Sequence, residues 1–99
     1  MSMPEIELGV LKTNAKIPTM ARVVLFNDDY TPMEFVVEVL GDVFRMTTEQ
    51  ATNTVLQVHN QGWGFCGEYP RDIAETKAAQ VVDIARVSGH PLFCQAKPI

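Results

Sequence analysis

At 99 residues the chain has room for one small domain, and a composition 46% hydrophobic and 20% charged supplies one modest core and no more. A net charge of −4 gives no basic field for a phosphate backbone, and six of the seven charges from Asp28 to Glu49 are acidic, so no nucleic acid partner is expected. No apolar stretch approaches the roughly twenty residues of a membrane-spanning helix, and the N-terminus lacks the basic-then-apolar order of a secretion signal, so a cytoplasmic protein with no membrane partner is expected.

Residues 1–19 follow neither a period of 2 nor of 3.6, contain Pro4, Gly9 and Pro18, and are expected to form a flexible N-terminal arm ahead of a core domain over residues 20–99. Ala21 to Phe26 is a short β-branched run, too short for a helix, and predicts the first strand. It stops at the bend Asn27-Asp28-Asp29, after which a helix is expected from Pro32 to about Arg45. Thr31 is placed to N-cap it, Pro32 suits its first position, and Glu34 completes a Thr-x-x-Glu capping box. Met33, Val36, Val37 and Leu40 then share one helical face. Thr47 to Gln50 offers a second capping box for a helix running to about Asn60, stopped by Gly62. Gly62 to Pro70 interleaves aromatics with glycines and reads as a strand with a close neighbour. Arg71 to Ser88 places Ile73, Ala74, Lys77, Val81, Ile84 and Ala85 at helical spacing, with Gly89 at its C-cap. Pro91 to Lys97 reads as a last strand. The order β-α-α-β-α-β predicts an α+β domain, a three-stranded antiparallel sheet packed against three helices.

The chemistry-bearing residues do not converge on catalysis by motif. Cys66 with His59 could form a thiolate pair and Asp28 with Asp29 could share a proton, but no nucleophile elbow or phosphate loop accompanies them, and no catalytic residue is expected. Cys66, Cys94, His59 and His90 lack the knuckle spacing of a zinc site, so no metal and no cofactor is expected; two thiols in a cytosol-like chain read as reduced core residues. A binding site accounts for more. Carboxylate and amide acceptors at Asn27 and Asp28, an imidazole at His59 and apolar walls from two helices match a primary ammonium beside a hydrophobic group, which is a peptide N-terminus. The same residues have an ordinary structural use, as bend acceptors, a satisfied histidine and a core stripe, and composition and spacing leave both readings open.

The segments VVLFNDDYTPMEFVVEVL, VHNQG, AETKAAQV and HPLFC, in unbroken order from about residue 22 to 95, resemble the ClpS family of adaptor proteins. The nine residues NDDYTPMEF are themselves a specific signature of that family. The resemblance implies an α+β adaptor, not an enzyme, that binds proteins whose first residue is Leu, Phe, Tyr or Trp and delivers them to the ClpA unfoldase of the ClpAP protease. It further implies that Asn27, Asp28 and His59 contact the α-amino end, with Asp29 and Thr31 at the rim and first peptide group. Met33, Val36, Val55, Val58 and Leu92 would line the side-chain pocket. Glu75, Thr76 and Lys77 would dock on the N-terminal domain of ClpA, with Tyr30 at the edge of that surface, and the arm would match the family's variable tail. Val55 departs from the pattern, since relatives commonly carry Met at this gate. An alternative from another class is a structural or assembly α+β module without a ligand pocket.

Overall fold

The structure is a computed structural model and describes residues 18–99. Its elements run β1 (Met20–Phe26), α1 (Met33–Phe44), α2 (Thr48–Gln61), β2 (Trp63–Pro70), α3 (Arg71–Val87) and β3 (Phe93–Pro98). The three strands form one antiparallel sheet in the order β2-β1-β3, so the first strand of the chain is the central one. The α+β architecture expected from the sequence is the one observed. Of the predicted N-terminal arm, residues 1–17 lie outside the described residues. Thr19 is already tied to the domain, because its carbonyl accepts the Arg71 N–H at the start of α3 (2.9 Å).

Alternation along β1 turns Ala21, Val23 and Leu25 inward, where they join one buried cluster with Val36, Val39, Leu40 and Val43 of α1, Ala51, Val55 and Val58 of α2, and Ala74, Ala78, Val81 and Ala85 of α3. Helices therefore cover one face of the sheet. Cys66 of β2 and Cys94 of β3 enter the same cluster from the flanking strands as free, buried thiols. Cys66 is the extra residue of a bulge: Val23 pairs with Gly67 and Val24 with Phe65. The neighbouring Cys94 thiol and burial push the Cys66 thiol well above its ordinary range.

Two expected helix details differ in the structure. Thr31 does not cap α1; the N-cap is Pro32, which makes no side-chain cap bond, and Met33 is the first helical residue. The Thr31 hydroxyl is committed instead to Asp28. On α3, Ile73 and Ile84 are exposed and the buried stripe is Ala74, Ala78, Val81 and Ala85, so this helix packs closely through small residues. The α2 capping box forms as read: the Gln50 N–H donates to the Thr47 hydroxyl (3.1 Å) and the Thr47 N–H to the Gln50 side-chain oxygen (2.9 Å). Gly62 caps the other end at φ 88°, a left-handed conformation that favours glycine. A Cβ at Gly64 would come within 2.5 Å of the Val58 side chain and 3.0 Å of the Thr54 carbonyl, so α2 rests directly on the β2 backbone there.

Candidate functional site

The bend after β1 is built by one carboxylate. Asp28 Oδ1 accepts the N–H groups of Tyr30 and Thr31, both at 2.8 Å, and the Thr31 hydroxyl reaches both carboxylate oxygens (3.0 and 2.8 Å). Aspartate suits this role because its short side chain accepts from amides two and three residues on, closing the turn without a backbone hydrogen bond. Burial works against the charged form of Asp28. The amide donors of Tyr30 and Thr31, the Thr31 hydroxyl and the positive field of His90 outweigh it and hold the carboxyl below 3.8. Asp28 is therefore an anion at neutral pH, and a carboxylate has about four acceptor positions, so the turn leaves capacity for a further donor.

A second bond brings the bend to α2. The Asn27 N–H donates to the Gly62 carbonyl (3.0 Å), which sets Asn27 and Asp28 beside the last turn of α2, where Val58 and His59 lie. That helix end carries partial negative charge and favours a cation. Between the two elements opens a pocket of about 230 Å³. Leu25, Val36, Val55, Val58 and Leu92 are buried and form its floor and walls, while Met33 and Leu56, 48% and 45% exposed, stand at its mouth; Asn27, Asp28, Thr31 and His59 supply its polar side. The volume lies under the roughly 300 to 1,000 Å³ of pockets that take drug-sized molecules, and fits one large side chain. The arrangement offers an apolar hole with an anion and a helix C-terminus at its lip, the complement of an ammonium one carbon from a hydrophobic group.

Of the residues singled out in the sequence, Asn27, Asp28, Thr31, Met33, Val36, Val55, Val58, His59 and Leu92 all line this pocket. Asp29 is exposed and outside the lining, and Tyr30 points into solvent. Sequence reasoning missed Leu25, Phe26 and Leu56. Leu56 is a leucine on the exposed side of an amphipathic helix, a place where burial cannot account for it. On α3, Glu75 and Thr76 are exposed; Glu75 pairs with Arg71 (3.2 Å) and the Thr76 hydroxyl bonds within its own helix. Lys77 is half-buried. Its ammonium donates to the Val43 carbonyl in the last turn of α1 (2.8 Å) and lies over the rings of Phe44 and Tyr69, so it is also a structural tie between α1 and α3. Among the described residues no cluster of His, Cys, Asp or Glu could hold a metal ion, and no helix is long and apolar enough to cross a membrane.

Fold and pocket together give a small α+β domain with one apolar pocket bordered by a carboxylate and a helix C-terminus. The family model described as ATP-dependent Clp protease adaptor protein ClpS matches residues 16–95. The chain is 57% identical over 79 residues to the ATP-dependent Clp protease adapter protein ClpS of Maricaulis maris, covering 80% of this chain and 72% of that one. It is 52% identical over 90 residues to the ClpS of Nitrosospira multiformis, covering 91% and 88%. The structure superposes on that of Agrobacterium tumefaciens ClpS2 bound to L-phenylalaninamide with a TM-score of 0.82 and 40% identity, over 84% of this chain and all of the other. The chain belongs to the ClpS family of Clp protease adaptors.

Proposed function

We propose that this adaptor binds the free N-terminus of proteins whose first residue is Leu, Phe, Tyr or Trp and hands them to a ClpA-type unfoldase for degradation by ClpAP, with no catalytic step of its own. The observation that carries the reading is the juxtaposition of a 230 Å³ apolar pocket with the Asp28 carboxylate, Asn27 and His59 at its lip. The ligand of the Agrobacterium neighbour, L-phenylalaninamide, has the same pair of features: a free α-amine and a bulky apolar side chain. Burying a Leu or Phe side chain contributes about 1.5 to 3 kcal/mol, and a charge-assisted hydrogen bond about as much, which together distinguish a free hydrophobic N-terminus from an internal residue. In this reading Asn27, Asp28 and His59 hold the ammonium and Thr31 the first peptide group, while Asp29, beyond the lining, adds negative field at the rim. Met33, Val36, Val55, Val58 and Leu92 receive the side chain. Glu75 and Thr76, with Tyr30 at the edge, form the surface for the N-terminal domain of the unfoldase, and Lys77 supports that surface from beneath.

The test is a degradation assay with ClpA and ClpP and two reporters identical except for a first residue of Leu or Met. Addition of this protein is expected to accelerate loss of the Leu reporter severalfold and leave the Met reporter unchanged. Equal effects on both reporters would contradict the proposal.

A further inference from the structure

The helices cover one face of the sheet, and the other face is aromatic. The register places Trp63, Phe26 and Phe93 in one row across the three strands, and Glu68, Arg22 and Lys97 in another row four β1 residues away, about 13 Å along the strand. Phe65 and Val24 lie between the rows. Trp63, Phe65 and Phe93 are 42%, 43% and 49% exposed, and Val24 is buried by these neighbours although it takes no part in the helix-side core. Phe93 stacks on Phe26 with ring centroids 5.9 Å apart, and the Lys97 ammonium lies 5.6 Å from the centre of the Phe26 ring. Val24, Phe26, Trp63 and Phe65, with the charged row, line a shallow trough of about 600 Å³, and Phe93 backs the Phe26 ring from beside it. Exposed aromatics clustered this way on a small domain mark a binding surface.

Phe26 lines both the trough and the pocket at the end of β1, so the two are continuous around one residue. That continuity selects the occupant. We infer that the trough carries the segment of the substrate that follows its first residue: an extended, unfolded stretch whose apolar side chains lie on Trp63, Phe26 and Phe65, with an acidic group placed toward Lys97. The inference rests on the proposed N-terminal pocket, because the segment is positioned there by its anchored first residue. The aromatic row adjoins the pocket. Arg22 already faces Glu68 at 3.8 Å, while the Lys97 ammonium reaches back over Phe26, so its charge lies beside the aromatic row. A bound chain therefore gains when the positions after its first residue are apolar and a neighbouring one is acidic.

Anisotropy titrations of two labelled peptides test this, both beginning with a free Leu: one continues with Phe and Tyr and then Asp, the other with Gly and Ser only. The aromatic-acidic peptide is expected to bind about three- to tenfold tighter to the parent protein. That advantage should disappear in Phe65→Thr/Phe93→Thr, which keeps β-favouring residues in both strands, and should shrink in Lys97→Gln, while leucinamide binds all three proteins alike. Trp63 is the single tryptophan of the chain. Its emission should shift to shorter wavelength with the aromatic-acidic peptide and stay put with leucinamide. Equal affinity of the two peptides for the parent, or an advantage that survives both variants, would overturn the inference and leave the pocket standing; failure of leucinamide to bind the parent would remove the pocket itself. A Trp63 already shielded from acrylamide in the free protein would assign the trough to the chain's own residues 1–17, and a mass that doubles with concentration would assign it to a second copy. Either result contradicts a substrate trough.

Discussion

Asp28 has two tasks in one side chain: it closes the bend through the amides of Tyr30 and Thr31 and presents negative charge at the pocket. Asp28→Ala removes both and so cannot separate them. Asp28→Asn keeps an acceptor oxygen for the turn and removes the charge, so it is expected to fold as the parent and to bind a Leu peptide about tenfold to a hundredfold more weakly, measured by calorimetry beside a thermal melt. The pH dependence has a fixed sign. Because the folded-state pKa of Asp28 is depressed below 3.8, its contribution to folding and binding is present above that value and is lost as pH falls through the lower, folded-state one. At the other end, the ligand's amine has an ordinary pKa of about 7.7 to 8.0, and affinity should fall about tenfold per pH unit above it. Titrations from pH 2.5 to 9.5 check both limbs; constant affinity to pH 9.5 would contradict a charged-amine site. On the proposed function, Val55 is the residue expected to set selectivity among side chains. It is buried in the pocket wall, short and branched at Cβ, where a Met would reach further into the space beside the ligand. Val55→Met is expected to strengthen Leu binding by about 1 to 2 kcal/mol and to widen the preference for Leu over Ile, read from titrations of both peptides.

At the scale of elements, the pocket depends on how closely α2 approaches β2. Gly64→Ala would drive a methyl group into Val58 and the Thr54 carbonyl, and because Val58 lines the pocket, the cost should appear twice. Unfolding free energy is expected to drop by about 1 to 3 kcal/mol, with a loss of Leu-peptide affinity beyond that of an exposed glycine such as Gly89→Ala. Denaturant titration and calorimetry on the two variants measure it. The elements themselves were legible in the residues: β-branched Ala21 to Phe26, the Thr47 and Gln50 box and the Gly62 stop each carry local chemistry strong enough to fix a boundary. The start of α1 was misread because Thr31 had two acceptable partners. Its hydroxyl goes to Asp28, three residues back, and spacing cannot tell that bond from an N-cap. The end of α1 was read at about Arg45 and falls there, Arg45 capping the helix at φ 60° in the left-handed region. On α3, Ile73 and Ile84 fit the helical period as well as the alanines do, but α3 lies close enough to the sheet that alanine-sized side chains fill the gap. The polar residues that line the pocket were legible as a set because the bend and the end of α2 each carry a motif. Leu56 and Phe26 were not, since their place in the pocket depends on how the elements come together.

Over the whole molecule the proposed tasks divide between a ligand side, where the pocket at the end of β1 and the trough on the open face of the sheet meet at Phe26, and a delivery side at the exposed start of α3. Glu75→Ala with Thr76→Ala touches only solvent-facing groups and leaves the Lys77 tie to α1 in place. This double variant is expected to bind Leu peptide as the parent does while accelerating ClpAP degradation of the Leu reporter several-fold less; unchanged acceleration would remove these residues from the delivery surface. Lys77→Ala, by contrast, is expected to cost about 1 kcal/mol of stability by freeing the last turn of α1, so its effect on delivery is not a clean reading of docking. The claim on which the rest depends is that the site recognises a free α-amine beside a large apolar side chain, and one comparison reaches it directly: anisotropy titration of a labelled peptide beginning with Leu against the same peptide acetylated at its N-terminus. The expected result is a loss of well over tenfold on acetylation, because a charge-assisted hydrogen bond is removed and the Asp28 carboxylate is left facing a neutral amide. Equal affinity for the two peptides would contradict it.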